Sequence, residues 1–228
     1  MRPSRHEIKA ELTDKTEIIS KKLYSIFGDY ARDIDFSGIR LFTCLFYNEL
    51  RHDPRNPGWV GRDRLVISNP KLIPSLLAVL AQAGYINWKE CHDVIIQLPK
   101  FFSGSNIALV NYPGVEFMTQ IPYQGMLFSL GAALVGKRSR KEYRVYHVTD
   151  DKRSTQLQDA LISASGMKLE NLTTIIPDID MQKRSSIIHF WFSMGWQLEE
   201  IHFDDVSSIY EGFYRAARAK EKPKIILG

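Results

Sequence analysis

The sequence predicts an α/β protein built on a parallel β-sheet that helices cover on both faces. The main observation is a regular alternation of helical and strand patterns from about residue 113 to the end of the chain. Such alternation is typical of parallel sheets, whose strands are joined by helical crossovers. A length of 228 residues with 44% hydrophobic residues is enough for one large buried core. We therefore expect a single domain over residues 1–228.

Three helices and one strand are predicted in the first part of the chain. Apolar residues at near four-residue spacing predict an amphipathic helix that ends near Gly28. A second helix, from about Ser37 to Leu50, is apolar on almost every face, as buried helices are. After a loop rich in proline and glycine, residues 65–67 predict a short buried strand and residues 70–83 a third helix.

The alternation in the second half predicts four more strands, at residues 143–148, 172–176, 197–202 and 224–227. Helical patterns lie before and between them, at residues 124–135, 157–165, 184–194 and 206–219. No internal repeat or linker divides the chain.

Charge and composition exclude several classes of protein. The net charge of +4 is dispersed, and the one basic run, residues 137–141, is better explained as a solvated loop than as a phosphate or RNA patch. No apolar segment is long enough to span a membrane, and the first 22 residues lack a signal core. The two cysteines lack metal-ligand spacing, and Cys44 lies in an apolar run typical of a buried hydrophobe. We expect a cytoplasmic protein without membrane or nucleic-acid partners.

The most informative segment runs from Leu50 to Tyr85, LRHDPRNPGWVGRDRLVISNPKLIPSLLAVLAQAGY. It resembles the N-terminal, diphosphate-binding half of transketolases, in which "LRHDP" and "DRFVLSKGH" segments occur in the same order. Residues 114–137, GVEFMTQIPYQGMLFSLGAALVGK, and residues 159–176, DALISASGMKLENLTTII, are similar to further segments of that family. The resemblance implies the thiamine diphosphate-binding fold over nearly the whole chain.

In that family this half holds thiamine diphosphate through backbone amides and histidines. It also binds Mg²⁺ or Ca²⁺ through an Asp and an Asn, which are oxygen ligands suited to hard cations. The resemblance implies Gln124, Gly125, Asp150 and Asp151 as cofactor-binding residues. It implies Asp150, Asp151 and Asp180 as metal ligands.

Other positions depart from the family pattern. Two family histidines fall on Ala31 and Lys71, and two family glycines fall on Gln120 and Tyr123. Glycine lets a backbone approach phosphate closely, so side chains at these positions would crowd it. A second carboxylate in place of the metal-binding amide would also add negative charge beside the diphosphate. We therefore expect a cofactor site that has been eroded.

The alignment of the metal residues leaves alternatives open. The family's Gly-Asp-Gly falls on residues 150–152 or 149–151, and its Asn falls on Ile179 or Asp180, with Asp178 nearby. These aspartates are also explained as exposed carboxylates at strand ends. His52 is expected to be structural, and His147 to be a satisfied core histidine on a buried strand.

Three functions remain open. The chain is a non-catalytic subunit that stabilises or orients a partner, a divergent but active subunit for two-carbon transfer, or a scaffold or binding module. Family enzymes also need a pyrimidine-binding half, so the resemblance implies a transketolase C-terminal-like partner chain in a hetero-oligomer or homo-oligomer. Two apolar helical segments, residues 40–50 and 126–135, correspond to family surfaces that pack between chains.

Overall fold

The computed structural model describes residues 3–33, 36–98, 112–150, 155–177, 182 and 184–228. Within these residues there are six strands, β1 (Arg64–Ile67), β2 (Phe117–Met118), β3 (Val145–Val148), β4 (Leu172–Ile176), β5 (Gln197–Glu200) and β6 (Lys224–Leu227). They form one parallel sheet in the order β2-β1-β3-β4-β6-β5. The predicted α/β class with a parallel sheet is confirmed.

Eight α-helices are present in the described part of the chain. They are α1 (Arg5–Phe27), α2 (Ile39–Cys44), α3 (Ile73–Ala83), α4 (Trp88–Ile95), α5 (Pro122–Arg138), α6 (Thr155–Gly166), α7 (Arg184–Ser193) and α8 (Val206–Ala216). Helix α2 continues as one π-helical segment, Leu45–Glu49, and a 3₁₀ turn, Pro70–Leu72, precedes α3. Neither α4 nor the two-residue strand β2 was predicted, because both are short and lie where the sequence pattern is weakest.

Local signals in the sequence set several helix ends. Ser4 and Glu7 form a capping box at the start of α1, in which each side chain accepts from the other residue's backbone N–H. Helix α3 ends at Gly84, whose φ of 88° lies in the left-handed region that glycine adopts without strain. Asp205 begins α8 by accepting from two backbone N–H groups of the first turn.

The helices cover the sheet on both faces and bury one apolar cluster on each side. Helices α1, α2, α3 and α8 pack on one face, and α5, α6 and α7 pack on the other. The apolar side chains of α2 and of the start of the π-helical segment are buried inside this chain, as Phe42 and Leu45 at 0% exposure show. The expectation that residues 40–50 form a surface between chains is therefore wrong. Cys44 is buried as expected, and burial raises the pKa of its thiol to about 12.

The strand order creates a switch point beside β1. The chain passes from β1 to β2 on one side and then returns to place β3 on the other side of β1. Ligands of open α/β sheets bind in the crevice that forms at the carboxyl ends of the strands at such a point. The described helices include none long and apolar enough to span a membrane.

Candidate functional site

The carboxyl ends of β1 and β3 meet the first turn of α5 at this switch point. Ser68 follows β1 and is fully buried, while Thr149 and Asp150 follow β3. The backbone N–H of Ser68 donates to the carbonyl of Val148 at 2.8 Å, which extends the ladder by one residue. The sheet edge is thereby fixed where a ligand would approach it.

A buried serine–histidine pair lies directly under α5. His147 is 0% exposed, and its Nε2 lies 2.5 Å from the Ser68 Oγ. Burial lowers the pKa of His147 to about 3, because a charged imidazole would lose its hydration there. The His147 ring is therefore neutral at physiological pH. Its Nδ1 is buried without a hydrogen-bond partner among the described residues, so the prediction of a satisfied core histidine is correct for burial and wrong for Nδ1.

Only glycine fits at position 125 beside this serine–histidine pair. A Cβ atom at Gly125 would lie 2.6 Å from His147 Nε2 and 2.8 Å from Ser68 Oγ, which is closer than non-bonded atoms approach. The position where a side chain would start therefore faces the interior of the protein. This contact allows the first turn of α5 to rest on the ends of β1 and β3.

The other residues implied as cofactor ligands are placed differently. Gln124 is exposed in the first turn of α5, and its Oε1 accepts from the Thr119 hydroxyl at 2.9 Å. Asp150 is half-buried after β3. Asp151 and Asp180 lie outside the described residues. The structure thus brings Gly125 and Asp150 to one sheet edge and does not test the metal set.

The described residues at the start of α5 do not fit the diphosphate of thiamine diphosphate. The missing side chain of Gly125 makes room for His147 and Ser68 rather than for a phosphate. Helix α5 begins with Pro122, which has no N–H to offer an anion, and half-buried Tyr123 follows it. No group of three His, Cys, Asp or Glu side chains able to hold a metal occurs in the described ranges.

The amino edge of the same sheet carries a complete ionic network around Asp63. The fully buried Asp63 carboxylate accepts from the backbone N–H groups of Arg51 at 2.9 Å and Arg144 at 2.7 Å. It also forms ion pairs with both guanidinium groups, at 3.3 Å and 3.1 Å. Glu49 completes the network by pairing with Arg144 at 3.2 Å. Burial raises the pKa of Glu49, and the charge of Arg144 opposes that rise.

His52 is structural, as predicted. Its Nε2 lies 2.6 Å from the carbonyl of Phe46, so Nε2 carries the proton and donates. Nδ1 therefore accepts from the Tyr85 hydroxyl at 2.9 Å. Sequence reasoning did not foresee the partners of Asp63, His52 or His147, because most of them are remote in sequence and no local pattern marks them.

No protein-family model matches the chain. Two curated relatives cover most of it. One component of the apulose-4-phosphate transketolase of Phocaeicola vulgatus is 24% identical over 204 residues, which is 85% of this chain and 72% of the relative. One component of the 6-deoxy-6-sulfo-D-fructose transketolase of a Clostridium species is 27% identical over 198 residues, covering 82% and 71%. Both relatives are named as single subunits of transketolases.

Solved transketolases share the fold. A transketolase variant from Pichia stipitis aligns over 96% of this chain with a TM-score of 0.70 and 18% identity. The transketolase of Campylobacter jejuni aligns over 100% with a TM-score of 0.69 and 22% identity. This chain spans 36% and 38% of those proteins. It covers a transketolase N-terminal-like region, and the resemblance seen in the sequence is confirmed.

Proposed function

We propose that this chain, with its transketolase N-terminal-like fold, is one subunit of a split, heteromeric transketolase-like transferase and plays a non-catalytic role in it. Its role is to stabilise or orient a transketolase C-terminal-like partner chain. The observation that carries the non-catalytic part is the packing of Gly125 on His147 and Ser68. That packing gives Gly125 a structural reason to be a glycine that needs no phosphate.

An exposed apolar face of α5 is evidence for a partner chain. Leu127, Phe128 and Val135 are 43%, 38% and 55% exposed on this helix, and a Cβ atom at Gly131 would meet nothing within 4 Å. Spacings of three and four residues place all four on one helix face. Contiguous exposed apolar surface marks interfaces in soluble proteins. The names of the relatives, which are subunits of transketolases, agree with assembly from more than one chain.

The second candidate is a divergent but active diphosphate-binding subunit for two-carbon transfer. Asp150 favours it, because this carboxylate follows β3 at the switch point where the family's metal-binding Asp falls. The relatives' names mention apulose-4-phosphate and a sulfonated fructose, so a substrate of sugar type would suit this candidate.

Reconstitution with the partner chain separates the two candidates. In the non-catalytic role, Asp150→Ala should leave turnover of the complex within a few-fold. A loss of about 100-fold with assembly intact, or about 2.7 kcal/mol, would favour the active subunit. Calorimetric titration of the isolated chain gives a second readout. A thiamine diphosphate Kd near or below ~1 μM in the presence of Mg²⁺ would contradict an eroded site.

The interface is tested independently of catalysis. Leu127→Asp should abolish co-elution of the two chains in size-exclusion chromatography, since a charge in a dry contact is costly. The matched control is Ile18→Asp on α1, where Ile18 is 52% exposed away from α5. If both variants assemble like the unmodified chain, the α5 face is not the interface.

A further inference from the structure

We draw no further inference here: the strongest candidate, the apolar surface patch at the β2 edge of the sheet where the rings of Phe117 and Phe128 stack, shares Phe128 with the α5 face already proposed as the interface with the partner chain, and nothing in the described part of the structure shows what else covers it.

Discussion

The two edges of the sheet differ in how completely their polar groups are satisfied. At the amino edge, Asp63 is enclosed by two backbone N–H groups and two guanidinium groups, and Glu49 pairs with one of them. At the carboxyl edge, the buried His147 Nδ1 has no hydrogen-bond partner among the described residues. Buried polar groups that satisfy one another's hydrogen bonds contribute to stability. Groups left open are the ones that remain available to a ligand or a partner.

The largest expected loss of stability comes from removing Asp63 at the amino edge of the sheet. Asp63→Ala would remove a fully buried carboxylate and leave two partly exposed guanidinium groups and two backbone N–H groups without their acceptor. Removing one member of a buried ion pair costs about 3–5 kcal/mol, and urea unfolding should show a loss of this size. Asp53→Ala is the control, because the Asp53 side chain is 42% exposed and its ion pair with Arg55 is on the surface. A loss below ~1 kcal/mol for Asp63→Ala would mean that the network contributes little.

A smaller effect is expected where α5 meets the carboxyl edge. Gly125→Ala would place a methyl group 2.6 Å from His147 Nε2, so we expect a loss of about 1–3 kcal/mol in the free energy of unfolding. Gly131→Ala lies in the same helix, with nothing within 4 Å of the added methyl group. It should instead stabilise the protein by roughly 0.5–1 kcal/mol through helix propensity. Equal effects of the two changes would show that Gly125 has no special packing role.

The third prediction concerns pH. Burial lowers the pKa of His147 to about 3 in the folded state, whereas a histidine in the unfolded chain titrates near about 6.5. The unfolded state therefore binds more protons in acid. The stability that depends on neutral His147 is complete above about pH 6.5 and is lost as pH falls toward 3. The loss should be about 2 kcal/mol between about pH 7.5 and pH 5, measured by urea unfolding.

Two variants test whether His147 causes this pH dependence. His147→Gln should remove it, because glutamine has no proton to gain in this range. His202→Gln should retain it, because His202 is exposed. If the stability of His147→Gln still falls with pH as steeply as that of the unmodified chain, another group is responsible.

The sequence predicted correctly the features that depend on local interactions, and it failed for features that depend on contacts between residues distant in the chain. Strands 172–176 and 224–227 were predicted with the bounds that they have, because continuous apolar runs are a local property. Helix α2 was also found from its sequence, but its burial was assigned to another chain. Composition shows that a helix is apolar, and only the packing of α1, α3 and α8 around it shows what covers it. The cofactor residues came from the resemblance, and Asp151 and Asp180 remain predictions.

The sequence by itself determined the α/β class, most element boundaries and the transketolase-like character of the chain. Hydrophobic periodicity and short motifs carry that information over a few residues at a time. Only the tertiary structure decided which polar groups meet. Ser68 and His147 are 79 positions apart, and Asp63 and Arg144 are 81 apart. Such pairs form because parallel strands that are distant in the chain are neighbours in the sheet, and strand order is a property of the folded molecule.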